Sequence, residues 1–196
     1  MPVKGAEEFK SLKKKYAKGV ELRGKTLGII GFGRIGRSTA KYALGCGMKV
    51  IANDRNPVPS TLPIDFHNGQ SIDVEIESAS FEKVLSESDY ISLHIPKQEN
   101  GSAVITSTEI EKMKPGVRIV NAARGGVIDE DSILKALEAK HISYIALDVF
   151  ENEPTPRVDL LENEKIAATP HIGTATTEAQ TRIGLELAEQ IVTLLK

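Results

Sequence analysis

Lys25-Thr26-Leu27-Gly28-Ile29-Ile30-Gly31-Phe32-Gly33-Arg34-Ile35-Gly36 is the stretch that decides the fold. The apolar run Lys25 to Ile30 reads as a buried strand, and Arg34 to Leu44 reads as a helix. A G-x-G-x-x-G pattern alone is weak, but between a strand and a helix it has a mechanism. Gly31 permits the tight turn, Gly33 lets the backbone approach a pyrophosphate, and Gly36 lets the helix pack closely on the sheet. The helix N-terminus offers free N–H groups and a partial positive charge to the anion. Met48 to Ala52 reads as a second strand, and Asp54 stands at its end. A carboxylate there accepts hydrogen bonds from the adenosine ribose and repels a 2′-phosphate, which favours NAD over NADP. Arg55 beside it is the complication, because a guanidinium accommodates such a phosphate.

Outward from this unit, short apolar runs alternate with helical patterns. Asn56 to Gln70, with Pro57, Pro59 and Pro63, reads as a loop. Asp73 to Ile76 reads as a short strand, Phe81 to Leu85 as a short helix and Tyr90 to Leu93 as a strand. Thr106 and Glu109 form a capping box before Ile110 to Met113. Val117 to Val120 is a predicted strand, Asp131 to Ala139 a helix, Tyr144 to Val149 a strand and Ile166 to Ala168 a last strand. Thr177 and Gln180 make a second capping box, opening a helix with Ile183, Leu187, Ile191 and Leu194 on one face. The alternation predicts an α/β domain, a doubly wound parallel sheet of Rossmann type with helices on both faces. Residues 25–196 form this dinucleotide-binding domain, and residues 1–24 a helical arm with Phe9, Leu12 and Tyr16 at helical spacing.

The 196 residues bury a core without staples, and the lone Cys46 in an apolar stretch reads as a small buried hydrophobe. A single thiol fits a reducing compartment, and no apolar run resembles a signal peptide or a membrane span, so a cytoplasmic protein is expected. A net charge of −2 gives no electrostatic case for nucleic acid or a membrane surface as partner. Lys13-Lys14-Lys15 reads as a solvated helix face.

Three polar clusters sit at the ends of apolar strands in the second half: Asn121-Ala122-Ala123-Arg124-Gly125-Gly126, Asp148-Val149-Phe150-Glu151-Asn152-Glu153-Pro154, and Thr169-Pro170-His171-Ile172-Gly173. In an open parallel sheet these ends face the ligand crevice. Arg124, Glu153 and His171 each have a bland reading singly; together on one edge they form a candidate catalytic set.

With Glu21-Leu22-Arg23-Gly24-Lys25-Thr26-Leu27-Gly28 and Leu93-His94-Ile95-Pro96, these segments resemble, in order and spacing, the nucleotide-binding domain of the D-isomer-specific 2-hydroxyacid dehydrogenases, from about Gly19 to near the C-terminus. The resemblance implies Arg124 as the substrate-carboxylate residue, His171 as the acid–base residue and Glu153 as its hydrogen-bond partner. It implies that Asp148 meets the nicotinamide carboxamide, that Ala122 and Ala123 offer backbone contacts there, and that Arg34 and Ile35 present the pyrophosphate turn. It also implies that His94, Pro96 and Gly173 lie along the cofactor, His94 in a packing role. Many relatives carry a threonine a few residues after the His-x-Pro segment; this sequence departs from them there, reading Gln98-Glu99-Asn100-Gly101-Ser102, with Ser102 the nearest hydroxyl.

The resemblance further implies NAD(H) and a small 2-hydroxy or 2-keto acid as ligands, with no metal. It is strongest to the members acting on 3-phosphoglycerate, the entry reaction of serine biosynthesis. It also implies a homodimer held in part by the arm. Relatives have a second, substrate-closing domain, so this chain is expected to be a fragment that binds cofactor and turns over weakly. The alternatives are an NAD(H)-sensing corepressor-like module, or a dehydrogenase for glycerate, hydroxypyruvate or lactate. Glu153 argues against a formate dehydrogenase, where glutamine serves.

Overall fold

Side-chain alternation along the strands divides the interior of this domain into two cores, one on each side of a sheet. A computed structural model describes residues 5–195. The first four residues of the expected arm, and Lys196, lie outside the described residues. After helix α1 (Gly5–Lys15) come β1 (Thr26–Ile30), α2 (Arg34–Gly45) and β2 (Lys49–Asn53). In β1, Leu27 and Ile29 face α2, while Ile30 faces the opposite core. Val50 and Ala52 of β2 join the first core, and Ile51 joins the second.

The stretch expected as a loop, Asn56 to Gln70, is a loop only in part. It contains β3 (Thr61–Asp65), which pairs antiparallel with β4 (Ser71–Glu75) in a separate two-stranded ribbon. The turn between them is closed by the Phe66 N–H donating to the Gln70 carbonyl at 2.8 Å, with Gly69 at φ +83°. Asn68-Gly69 is the hairpin signal that the prolines obscured. Pro63 is tolerated because a two-stranded ribbon is all edge. Leu62 anchors the ribbon in the α2 core.

The chain re-enters the main sheet as β5 (Glu77–Ser78) and crosses to the other face through α3 (Phe81–Glu87), reaching β6 (Tyr90–Leu93). Then follow α4 (Ser107–Glu111), β7 (Val117–Asn121), α5 (Glu130–Glu138), β8 (Ile142–Leu147), α6 (Val158–Leu161), β9 (Ile166–Ala168) and α7 (Thr177–Leu194). The capping box of Thr106 and Glu109 is present in full. The second is not: Thr176 is the cap, its hydroxyl accepting from the Ala179 N–H at 3.1 Å, and Gln180 donates instead to the Thr174 carbonyl at 3.3 Å.

Seven parallel strands run in the order β5-β2-β1-β6-β7-β8-β9. The direction of growth reverses between β1 and β6, which is where an open α/β sheet forms its ligand crevice. Helices cover both faces of the first half. In the second half α4, α5 and α6 accompany one core, and Val120 and Tyr144 on the reverse face are exposed. The expected apolar stripe of α7 is likewise exposed, because the helix buries no residue against this domain. Among the described residues no helix is long and apolar enough to cross a membrane.

Candidate active site

The glycine turn occupies the reversal point, and each of its three glycines has its own spatial reason. Gly31 adopts φ +93°, and a Cβ there would collide with the His94 carbonyl at the end of β6. Gly36 faces the Gly31 carbonyl so closely that no Cβ fits, with Ile29 Cγ2 also 3.2 Å from where it would stand. Gly33 is the reverse case: nothing lies within 4 Å of the place its Cβ would take. Gly33 is also the N-cap of α2, and no side chain caps that helix. Open space in front of uncapped helical amides is what a pyrophosphate requires.

Asp54 stands at the edge of this space. Its Oδ2 accepts from the Phe32 N–H at 2.6 Å and its Oδ1 from the Asn56 N–H at 2.8 Å. Partial burial pushes its pKa upward, but the hydrogen bonds from Asn56 and Phe32, with the charge of Arg55, outweigh that and hold it below the ordinary value. The carboxylate is therefore ionised at neutral pH and braces the glycine turn. Arg34 and Ile35 are exposed on the turn, Arg34 pairing with Glu186 of α7 at 3.0 Å.

His94 closes the other side of the crevice. Its Nε2 lies 2.9 Å from Ser92 Oγ, and burial lowers its pKa, so it is a neutral, packed ring. Pro96 is exposed beyond it, and Ser102 donates within its own loop to Asn100 Oδ1 at 2.7 Å.

The three polar clusters emerge from the C-terminal ends of β7, β8 and β9, which are adjacent in the sheet. After β7, buried Asn121 ties its own turn, accepting from the Ala123 N–H and donating to the Arg124 carbonyl, both at 3.1 Å. Ala122 and Arg124 are thereby presented outward, and Arg124 Nη1 donates to the Ala123 carbonyl at 2.6 Å. Gly125 presses on the Phe150 carbonyl of the next cluster, leaving no room for a Cβ.

Asp148 is 8% exposed and organises the cluster after β9. Its Oδ1 accepts from Thr169 Oγ1 at 2.6 Å and from the Ile172 N–H at 2.8 Å, while Oδ2 accepts from the Gly173 N–H at 2.8 Å. Burial works to raise its pKa, and these three donors together with nearby His171 bring it below the ordinary value. The amide of Gly173 is committed to this grip. Between Thr169 and Ile172 the chain passes through His171 at φ +55°, a left-handed conformation uncommon outside glycine. Its ring Nδ1 lies 2.8 Å from Glu153 Oε2, and Glu153 Oε1 accepts from the Phe150 N–H at 3.0 Å. The hydrogen bond to His171, then that from Phe150, holds the Glu153 carboxyl below the usual glutamate range.

Sequence reasoning placed Glu153 beside His171 only through resemblance, and it missed the bracing roles of Asn121 and Asp148. The signal for both is a polar residue at the C-terminal end of a buried strand, where side-chain carbonyl and carboxylate oxygens reach turn amides.

A parallel sheet with a glycine turn at its reversal point, an ionised acid at the end of β2 and a braced histidine–carboxylate pair defines a nucleotide-dependent oxidoreductase domain. The chain belongs to the D-isomer specific 2-hydroxyacid dehydrogenases: the model of their NAD binding domain matches residues 4–173. It is 45% identical over 181 residues to a hydroxypyruvate reductase of Thermotoga maritima, covering 91% of this chain and 55% of that protein. Over 194 residues it is 39% identical to a D-3-phosphoglycerate dehydrogenase of Archaeoglobus fulgidus, covering 98% and 35%. Among solved structures, a glyoxylate reductase from Paecilomyes thermophila superposes with a TM-score of 0.75 at 37% identity, covering 90% of this chain and 52% of that one. The chain thus spans about half or less of the length of these relatives. The cofactor of the family domain is NAD, and the open cradle at Gly33 with ionised Asp54 fits it.

Proposed function

We propose that the chain is the cofactor half of a dehydrogenase that interconverts a D-2-hydroxy acid and its 2-keto acid, with 3-phosphoglycerate as the hydroxy acid. The observation that supports this most is the His171–Glu153 contact of 2.8 Å, on the sheet edge that also carries the glycine turn. Bound NAD supplies the hydride acceptor. With Nδ1 occupied by Glu153, Nε2 of His171 is the nitrogen left to take the hydroxyl proton as the C2 hydride departs, and to return it in reduction. Ionised Glu153 orients the ring and fixes which nitrogen faces the substrate. The exposed Arg124 fork grips the substrate carboxylate with two hydrogen bonds, and Gly125 sets its distance from the Glu153 loop by direct backbone contact. Asp148 places His171 through the loop it holds, and its Oδ2 retains acceptor capacity toward the carboxamide.

Several D-3-phosphoglycerate dehydrogenases among the relatives support the phosphorylated substrate. The 45% match favours hydroxypyruvate as the second reading. The test is NADH consumption by the purified chain with each keto acid, beside His171→Gln and a parallel NADH titration. NADH binding with slow reduction of 3-phosphohydroxypyruvate, absent in His171→Gln, is the expected result. Faster reduction of hydroxypyruvate would exchange the two substrate readings, and failure to bind NADH would overturn both. Turnover near that of full-length relatives would refute dependence on a second domain. A dimer through the arm is part of the same proposal, supported by Phe9 on α1 and Tyr16 in the turn just after it, both more than half exposed. Sedimentation showing only monomer at high concentration would refute it.

A further inference from the structure

One buried acid in this domain is not accounted for by the site as described. Glu130 begins α5 and is 5% exposed, yet its Oε2 has no hydrogen-bond partner among the described residues. A carboxyl group in that situation is costly, and its retention calls for a reason. Its other oxygen shows one. Glu130 Oε1 accepts from the backbone N–H of Glu151 at 2.9 Å, and the Glu130 N–H donates back to Glu151 Oε1 at 3.3 Å. The exchange pins the start of α5 to the loop after β8. That loop is the one in which Phe150 N–H holds Glu153 Oε1, and in which the Phe150 carbonyl abuts Gly125 beside Arg124. Glu151 thus lies between the anchored end of the loop and the carboxylate that meets His171.

We propose that Glu130 is a positioning residue for the acid–base pair: its buried carboxyl holds the Glu151 backbone so that Glu153 faces His171 and the Arg124 turn keeps its seat on Phe150. The acceptor oxygen performs this task rather than the charge. The charged groups around Glu130 are mixed, with Glu151 and Asp159 opposing its ionisation and Arg157 favouring it, and burial raises its pKa above all. Glutamine at this position therefore suffices, whereas an apolar residue of similar volume fills the site and releases the loop.

This inference rests on the reading of Glu153 and His171 as partners, but its test needs no substrate, so absence of turnover would leave it standing. The Glu153 carboxyl is followed by carbon-13 NMR through an acid titration of this chain, its resonance identified by its loss in Glu153→Gln. The comparison is between the parent, Glu130→Met and Glu130→Gln. In the parent, the hydrogen bond with His171 holds the Glu153 carboxyl below the ordinary glutamate range, and the titration is expected to find it there. The expected result is an upward shift in Glu130→Met as the contact with His171 loosens, and parent behaviour in Glu130→Gln. Removing a nearby negative charge would by itself move Glu153 downward, so the sign separates positioning from simple electrostatics. A folded Glu130→Met chain with Glu153 unmoved overturns the proposal, as does a shift in Glu130→Gln equal to that in Glu130→Met. Should Glu130→Met fail to fold, hydrogen exchange at the Glu151 amide of the parent decides: protection supports the anchor, and exchange at the rate of an open loop refutes it.

Discussion

Gly33 and Gly36 are three residues apart in one motif, yet the structure assigns them different tasks, and one pair of substitutions separates them. At Gly36 a methyl group meets the Gly31 carbonyl, which is backbone and cannot rotate away. Overpacking of this kind costs about 1–3 kcal/mol. Because Gly36 lies inside α2, alanine recovers about 0.8–1 kcal/mol of helix propensity. The collision is with backbone and is very close, so the upper part of that range applies, and the net expectation for Gly36→Ala is a loss of about 1–2 kcal/mol, or a fall in melting temperature of about 2–8 °C for a domain of this size. At Gly33 a side chain meets nothing, and serine is a good N-cap, so Gly33→Ser holds stability within about 0.5 kcal/mol. It enters the open space in front of the α2 amides and engages one of them. Losing one charge-assisted hydrogen bond to the pyrophosphate is worth about 1.5–3 kcal/mol, a weakening of NADH binding of about 10- to 150-fold. Thermal unfolding by circular dichroism and NADH fluorescence titration measure the two quantities on the same samples. Tight NADH binding by a folded Gly33→Ser chain would refute the cradle, and an unaltered melting temperature in Gly36→Ala would refute the close packing.

Gly125→Ala drives a methyl group into the Phe150 carbonyl, and a destabilisation of about 1–3 kcal/mol is expected by denaturant titration, against none if the two turns separate freely. Asp54→Ala removes the brace on Phe32 and, on the proposed reading, the acceptor for the adenosine ribose; NADH binding is then expected to weaken and NADPH binding to gain relative to it beside Arg55, as paired titrations with the two cofactors would show. Asp148→Asn replaces one acceptor oxygen with a donor facing an N–H or hydroxyl, and about 1–3 kcal/mol of stability is lost. Because the folded-state pKa of Asp148 is depressed, its contribution is fully present above the unfolded carboxylate value near 4 and disappears as pH falls through the lower folded value. Acid unfolding curves of the parent and Asp148→Asn should therefore converge at low pH, and parallel curves throughout would contradict the assignment.

What the amino-acid sequence determined by itself was whatever local sterics and periodicity control. The turn at Gly31, the strand–helix context of the motif, Asp54 at the end of β2 and the placing of three polar clusters at strand ends all follow from neighbours along the chain. So does the alternation that produces a parallel sheet. The β3–β4 ribbon was hidden because three prolines outweighed a short Asn68-Gly69 signal, and its pairing depends on Leu62 finding the α2 core. The cap of α7 moved from Thr177 to Thr176 because adjacent threonines offer equivalent hydroxyls and only backbone geometry chooses between them. The stripe Ile183, Leu187, Ile191 and Leu194 is plain in the sequence, but whether anything covers it depends on what stands opposite. Tertiary structure alone decided that Asp148 grips the loop of His171, that Gly125 touches Phe150, and that a buried glutamate at the start of α5 reaches Glu151. These contacts join residues far apart in the chain, and only the stacking of β7, β8 and β9 side by side brings their carbonyls, amides and carboxylates within hydrogen-bond reach.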